Sequence, residues 1–272
     1  MPTALIAGLG LIGGSIGIAL RGRGWFVSYL DPYVEDPLDA ADERVHAIGD
    51  ADLVILATPV DVALRLMASG RDARQPSGVS PGGVNATAAR DVPPLAGGTP
   101  ARRTTSVCSV MQPLRAIAGR HFTAGHPLAG SERRGIEAAR GDLFAGKRWF
   151  VDREDDLVAQ VIADCGATQE LVNAEEHDRA MALTSHLPQV LSTALAALIA
   201  DEDRRFLGSG AKTFLRLAGS EAGVWGPILD ANRDNIRAHF ERFVEIARAV
   251  IDDDPEEAFR RANRLWEELS AE

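Results

Sequence analysis

The sequence contains few cysteines and no cluster of positive charge, and each shortage argues against a class of protein. Its two cysteines, Cys108 and Cys165, stand far apart, so neither a disulfide framework nor a metal site is expected. The 272 residues include 29 Lys and Arg against 39 Asp and Glu, which gives a net charge of −10. No basic block is present, so general nucleic-acid binding is not expected. These features fit a reducing compartment and predict a cytoplasmic protein.

No charged residue occurs in the first twenty positions, yet this run does not predict a membrane helix or a signal peptide. It contains five glycines and lacks the basic segment with which a signal peptide begins. The whole chain is 46% apolar and 25% charged, which is ordinary for a globular protein of this size with ample core. We therefore expect no membrane partner.

The glycines of that run have a defined spacing. Gly8, Gly10 and Gly13 form G-x-G-x-x-G directly after a short apolar strand, and a helical pattern follows. Asp31 ends the next predicted strand, 23 residues after Gly8. Glycines let the backbone approach a pyrophosphate, the helix N-terminus attracts it, and the acid binds the adenosine ribose. This order predicts a dinucleotide site.

The predicted cofactor is NAD, because a carboxylate at position 31 would repel the 2′-phosphate of NADP. Thr58 and Pro59 end the next apolar strand, predicted over 52–60, and are expected beside the cofactor. The segment from 31 to 52 is short for the elements usually packed there, so part of that unit is expected to be missing. The full predicted cofactor set is Gly8, Gly10, Leu11, Ile12, Gly13, Asp31, Thr58 and Pro59.

The rest of the chain divides into a mixed part and a helical part. We predict an α/β fold, with a Rossmann-type dinucleotide-binding domain over 1–173 and an all-helical domain over 174–272. Residues 71–103 show no sustained period and are expected to form a long surface loop or insertion. Pro188 should kink or restart the first helix. Because 187–200 are nearly all apolar, that helix should be buried in the core or in a dimer interface.

A candidate for proton transfer is His126, near the end of a strand predicted over 120–127. The carboxyl ends of parallel strands face the ligand crevice, and an imidazole can accept a hydroxyl proton near neutral pH. Ser109 ends the preceding candidate strand and can hydrogen-bond the same hydroxyl. On the residues alone, a purely structural histidine beside Pro127 is the alternative.

Taken together, the motifs resemble the prephenate/arogenate dehydrogenases. The family's order is seen in GLGLIGGS from Gly8, ATP from Ala57, VCSV from Val107, HPLAGSE from His126 and SHLP from Ser185. The resemblance implies NAD-dependent oxidative decarboxylation of prephenate to 4-hydroxyphenylpyruvate, or of arogenate to tyrosine. It also implies that His126 is the catalytic histidine and that Ser109 assists it.

The same resemblance assigns the substrate pocket. Arg216 would bind a substrate carboxylate, with Ser185 and His186 lining the pocket from the helical domain. Gln189 stands where relatives often have a second histidine that contacts substrate. Further departures from the family pattern are at Ser106, Met111 and Thr213. These changes concern substrate recognition, so the choice between prephenate and arogenate stays open.

Two other functions fit parts of the sequence. A β-hydroxyacid dehydrogenase would place a catalytic lysine in the helical domain, where only Lys212 occurs, without a matching motif. A non-catalytic NAD-binding relative is the second alternative, favoured slightly by the short segment at 31–52. We expect a homodimer joined through the helical domains.

Overall fold

The computed structural model describes residues 1–69, 103–130, 133–201, 204–253 and 255–271. They form two compact units: Met1–Met181 with Glu221–Ala231, and Ala182–Ser220 with Asn232–Glu272. The predicted domain boundary at 173/174 stays a prediction, because packing does not say which parts fold independently. Apart from Arg103, the predicted loop at 71–103 lies outside the described residues. Within the described residues, no helix combines the length and the apolarity that a bilayer span requires.

The first unit is built on a parallel sheet. Its strands are β1 (Thr3–Ala7), β2 (Phe26–Leu30), β3 (Glu43–Arg44), β4 (Leu53–Leu56), β5 (Arg103–Ser106) and β6 (Phe122–Thr123). The strand order is β3-β2-β1-β4-β5-β6, so the order reverses between β1 and β4. This is the order of dinucleotide-binding sheets, and it confirms the predicted fold class.

Helices cover both faces of this sheet. Helix α1 (Leu11–Arg21) connects β1 to β2, α2 (Val60–Ser69) follows β4, and α3 (Gln112–Ile117) connects β5 to β6. Ile6 packs into the core on one face, while its neighbour Leu5 packs into the core on the other. Both faces are buried, which explains why β1 and β4 are apolar without alternation.

The connection from β2 to β4 is reduced. Residues 31–52 are all described, and they form no helix and only the two-residue β3. The prediction that part of this unit is missing is therefore confirmed. A loop after β2 takes the place of the helix that usually follows this strand in dinucleotide-binding folds.

A second, three-stranded sheet carries the candidate histidine. It contains β7 (Gly125–Pro127), antiparallel to β8 (Arg148–Val151), and β9 (Thr168–Leu171) at its edge, with α4 (Asp156–Asp164) between β8 and β9. The prediction of one strand over 120–127 is wrong, because the chain leaves the main sheet after β6 and enters the second sheet at Gly125. The crossing needs a glycine, since a Cβ there would lie 2.8 Å from the Ser106 carbonyl oxygen.

The remaining elements are helical. In the first unit these are α5 (Ala174–Met181) and α8 (Ala222–Ala231). The second unit contains a π-helical stretch (Ala182–His186), α6 (Leu187–Leu198), α7 (Ser209–Phe214), a 3-10 turn (Leu215–Gly219), α9 (Arg233–Asp252) and α10 (Pro255–Ser270). Pro188 lies in the first turn of α6, so the predicted restart is confirmed.

The apolar run at 187–200 is not buried in the core. Leu187 is buried, but Leu198 is 78% exposed. Burial within the chain was one of two expected explanations for this run, and it is wrong because only one side of α6 packs against its own unit.

Candidate active site

The glycine turn (residues 8–13) joins β1 to α1 where the strand order reverses. Gly8 has a φ of +93°, and a Cβ there would lie 2.7 Å from the Ala57 carbonyl oxygen. A Cβ at Gly13 would lie 2.0 Å from the Gly8 carbonyl oxygen. Gly10 instead faces open space, and as the N-cap residue of α1 it has no side chain to cap the helix. The turn therefore presents the helix N-terminus to an anionic ligand.

Thr58 adds a polar group to this crevice. It follows β4, and its Cγ2 lies 3.0 Å from the position of a Cβ on Gly8. Its Oγ1 is buried and has no hydrogen-bond partner in the part of the chain that the structure describes. A ligand or a water bound in the crevice would complete its hydrogen bonding. Pro59 directly precedes α2, and Leu11 and Ile12 form the partly buried first turn of α1.

Asp31 directly follows β2, and its carboxylate binds the backbone of the glycine turn. Its Oδ2 accepts a 2.8 Å hydrogen bond from the Leu9 N–H, and its Oδ1 accepts from the N–H groups of Tyr33 (2.8 Å) and Val34 (3.2 Å). The carboxylate thus joins the glycine turn to the shortened loop after β2. Because a carboxylate oxygen has two lone pairs, Oδ2 can still accept from a ribose hydroxyl.

His126 lies in β7, opposite Phe150 of β8. Its Nδ1 is 3.0 Å from Nε2 of His177, and the two rings are nearly perpendicular. His177 lies on α5, is 2% exposed, and places its Nδ1 2.8 Å from Oδ1 of Asp178. We call these three residues the His–His–Asp array.

The buried carboxylate of Asp178 also binds backbone. Its Oδ1 accepts from the N–H of Met111 and its Oδ2 from the N–H of Gln112, both at 2.8 Å. Ser109 lies in the loop just before these residues, between β5 and α3. One carboxylate is therefore linked to His126 through His177 and to the backbone that follows Ser109.

Sequence reasoning missed His177 and Asp178. The available signal was an adjacent His-Asp pair in a helix that begins NAEE, where the Asn173 side chain accepts from the N–H of Glu175 at 2.9 Å. That pattern predicts a well-capped helix but not that its histidine faces β7.

In the second unit, α6 fixes the 3-10 turn that carries Arg216. The Nε2 group of Gln189 donates to the Leu217 carbonyl oxygen (2.9 Å) and to Thr193 Oγ1 (3.0 Å). The Ser192 hydroxyl donates to the Phe214 carbonyl oxygen at 2.9 Å. These bonds hold the backbone on both sides of Arg216, whose own side chain is exposed.

The amide of Gln189 has only one allowed orientation. The Leu217 carbonyl can only accept, so the nitrogen must face it. The oxygen, Oε1, is then buried and lacks a hydrogen-bond partner among the described residues. Gln189 therefore presents a fixed acceptor.

His186 ends the π-helical stretch, directly after Ser185, and is fully buried. Its Nδ1 lies 3.1 Å from Nδ2 of Asn232, whose Oδ1 accepts from Asn235 Nδ2 at 2.8 Å. The Asn232 amide nitrogen must therefore donate to His186, so a neutral ring carries its proton on Nε2. Ser185, His186, Gln189 and Arg216 thus lie on neighbouring elements of one unit.

Together, the parallel sheet and the glycine turn define a dinucleotide-binding protein. Within the described ranges, no group of His, Cys, Asp and Glu side chains is arranged to hold a metal ion. The polar groups of the first unit instead supply an imidazole array and an anion-binding turn.

Comparisons with known proteins identify the family. The family model for the prephenate dehydrogenase dimerization domain matches residues 173–263. A probable prephenate dehydrogenase from Streptomyces niveus, NovF, is 31% identical in an alignment that covers 93% of this chain and 71% of the relative. The chain belongs to the prephenate dehydrogenase family of NAD-dependent oxidoreductases, and the resemblance inferred from its motifs is confirmed.

Solved structures show the same fold. A prephenate dehydrogenase from A. aeolicus, crystallised with hydroxyphenyl propionate and NAD+, is 23% identical and superimposes with a TM-score of 0.76, covering 100% of this chain and 96% of that one. The arogenate dehydrogenase of Synechocystis is 20% identical, with a TM-score of 0.70 and coverage of 99% and 98%.

Proposed function

We propose that this protein catalyses the NAD-dependent oxidative decarboxylation of prephenate to 4-hydroxyphenylpyruvate, in tyrosine biosynthesis in the cytoplasm. The observation that carries the proposal is the placement of His126. It stands in the motif HPLAG on β7, and its Nδ1 is hydrogen-bonded to a buried histidine. Family membership supplies the reaction type, and the array supplies a group able to do the proton transfer.

The residues of the first unit fit a bound NAD. The glycine turn would hold the pyrophosphate, Asp31 a ribose hydroxyl, and Thr58 would gain a partner for its buried hydroxyl. NAD would supply the hydride acceptor.

The proton steps are assigned to His126 and Ser109. Nε2 of His126 accepts the ring-hydroxyl proton as hydride leaves the same carbon, and the Ser109 hydroxyl holds that oxygen. Loss of carbon dioxide then aromatises the ring, and His126 returns the proton to the ring oxygen. The substrate loses one hydride and one carbon dioxide in total, and the product keeps its hydroxyl.

The second unit carries the residues that we assign to substrate recognition. Arg216 presents a planar guanidinium on a turn fixed from both sides, which suits a carboxylate. His186 and Ser185 supply donors from the π-helical stretch.

A second candidate is the oxidation of arogenate to tyrosine. Gln189 favours it, because its buried Oε1 can only accept a hydrogen bond. Arogenate carries an ammonium group, a donor, where prephenate carries a keto oxygen, an acceptor.

The active form is proposed to be a homodimer joined through the second unit. Large apolar side chains on α9 and α10 are exposed: Phe240, Phe243, Ile246, Ile251, Phe259, Leu265, Trp266 and Leu269. Many large apolar side chains exposed on neighbouring helices favour a protein interface. Sedimentation equilibrium of the whole chain should give twice the 29.0 kDa mass of one chain, and a monomer at micromolar concentration would contradict the dimer.

The test of the proposed activity is NADH formation by the purified chain with NAD and either prephenate or arogenate. Mass spectrometry of the product distinguishes 4-hydroxyphenylpyruvate from tyrosine. Turnover of prephenate supports the first candidate, and turnover of arogenate alone supports the second. Tight NAD binding without reduction, with both substrates, would contradict both and favour a non-catalytic relative.

A further inference from the structure

We propose that His177 and Asp178 are positioning residues that fix the protonation state of His126 and the loop of Ser109. The inference uses the proposed function only for the identity of the substrate. It stands on the geometry of three side chains and two backbone N–H groups, all in the first unit.

The hydrogen-bond partners fix the positions of the protons in the His–His–Asp array. The Asp178 carboxylate is an acceptor only and already takes the N–H groups of Met111 and Gln112, so Nδ1 of His177 must donate to it. Nε2 of a neutral His177 is then an acceptor, and the 3.0 Å contact requires a proton on Nδ1 of His126. The lone pair of His126 therefore lies on Nε2.

The array also affects the charge that His126 gains during the reaction. When Nε2 of His126 takes a proton, the ring becomes an imidazolium whose Nδ1–H points to His177. The Asp178 carboxylate at the end of the array favours that positive charge through the intervening imidazole. The same principle governs a serine-protease triad, in which a buried carboxylate holds the histidine tautomer and stabilises its charged form. Here two imidazoles stand in series before the carboxylate.

Asp178 also acts on the loop that carries Ser109. By binding the N–H groups of Met111 and Gln112 at the start of α3, Asp178 fixes the backbone that begins two residues after Ser109. Asp178 on α5 thus binds backbone near Ser109 and is linked to His126 through His177. A change at Asp178 should therefore disturb both residues, whereas a change at His177 should disturb His126 alone.

The first readout is spectroscopic and does not depend on turnover. Two-dimensional ¹H–¹⁵N spectra of the whole protein, labelled at its six histidines, report which ring nitrogen of His126 is protonated. His126→Gln assigns the signal. The wild type should show a single Nδ1–H tautomer. His177→Asn, whose shorter amide can reach Asp178 but not His126, should give a mixture of tautomers.

The second readout is kinetic. Asparagine at 177 should lower kcat by about 10²-fold, as for a mispositioned general base, with the substrate KM changed by less than about threefold. Glutamine at 177 can still accept from Nδ1 of His126. The kcat of His177→Gln should therefore be about tenfold higher than that of His177→Asn. A purely structural role would not produce this order, because both substitutions remove the same ring.

The matched control is Asp155→Asn. Like Asp178, Asp155 accepts from two consecutive N–H groups at a helix start, but its side-chain partner among the described residues is Arg103 and not an imidazole. Its kcat should stay within about twofold of wild type, whereas Asp178→Asn should lose about 10²-fold.

A mixed His126 tautomer in the wild type, or an unchanged one in His177→Asn, would overturn the proposal whatever the enzyme turns over. An active wild type with position-177 variants within threefold in kcat would overturn it as well. Absence of turnover by the wild type with the predicted tautomer intact would contradict the proposed function alone.

Discussion

The polar clusters of the two units differ in the groups to which their side chains are hydrogen-bonded. In the first unit, the array that begins at His126 ends on the carboxylate of Asp178. In the second unit, His186 is hydrogen-bonded to the neutral amide of Asn232, and Gln189 to a backbone carbonyl. A carboxylate stabilises a charge that arises during a reaction, whereas neutral partners only fix donors and acceptors. The comparison assigns proton chemistry to the first unit and recognition to the second.

The largest effect is expected at the glycine turn. Gly13→Ala places a Cβ about 2.0 Å from the Gly8 carbonyl oxygen, so the turn must move. We expect the KM for NAD to rise by about 10²-fold, the cost of misplacing a bound reactant by an ångström. Gly22→Ala, at the other end of α1, is the control and should leave this KM unchanged. Equal effects in both variants would mean that the turn does not bind the cofactor.

A recognition residue of the second unit should affect KM and not kcat. Arg216→Leu removes a charged hydrogen-bond donor, so the substrate KM should rise by about 10- to 10²-fold. Arg216→Lys should recover part of the loss, since lysine keeps the charge but not the planar fork. Arg237→Leu, at an exposed position of α9, is the control. A fall in kcat at constant KM would place Arg216 with the catalytic residues and break the comparison.

Gln189 should control substrate preference. An imidazole at 189 can donate where the fixed Oε1 only accepts, so Gln189→His should shift kcat/KM towards prephenate over arogenate by about tenfold. Thr193→Val removes one hydrogen bond of the amide but keeps its bond to Leu217, so the shift should be less than about threefold. Competition assays with both substrates give the ratio directly, and an unchanged ratio in Gln189→His would remove the argument for arogenate.

The smallest effect concerns the two thiols, which both lie in the first unit. Burial raises the pKa of Cys108 and of Cys165 from 9.0 to about 12. The native thiols keep their protons above pH 9 while unfolded thiols lose theirs, so the free energy of unfolding should fall as pH rises from about 9 to 12. Urea unfolding at pH 8 and pH 10 measures this change.

The same thiols distinguish unfolding of the two units. At pH 8 a thiol reagent should react only after the first unit opens, because both cysteines are buried there. Reaction in step with the loss of helical signal from the second unit would show that the two units unfold together.

The sequence predicted the parts of the molecule that depend on local pattern. The strand, glycine turn, helix and acid around Asp31 follow from residue spacing, and so does the shortened segment after it. The break between β6 and β7 was missed because nothing local marks the approach of Gly125 to the end of β5. His177 and Asp178 were missed for a related reason: their roles depend on α5 packing beside β7, about 50 residues away in sequence.

The boundary between α8 and α9 illustrates the same limit. Residues 226–251 have a continuous helical pattern, yet α8 ends at Ala231 and α9 begins at Arg233. The buried side chain of Asn232 at this break is held by His186, a contact that spans 46 positions. Periodicity alone cannot show such a break.

The most direct test of the assignment of proton chemistry to the first unit is steady-state NADH formation by His126→Asn. His121→Asn is the matched control, because His121 is also partly exposed and lies on the same segment. The account predicts that His126→Asn loses at least about 10² in kcat while still binding NAD, and that His121→Asn stays within about twofold. A His126→Asn variant within threefold of the wild-type kcat would contradict it.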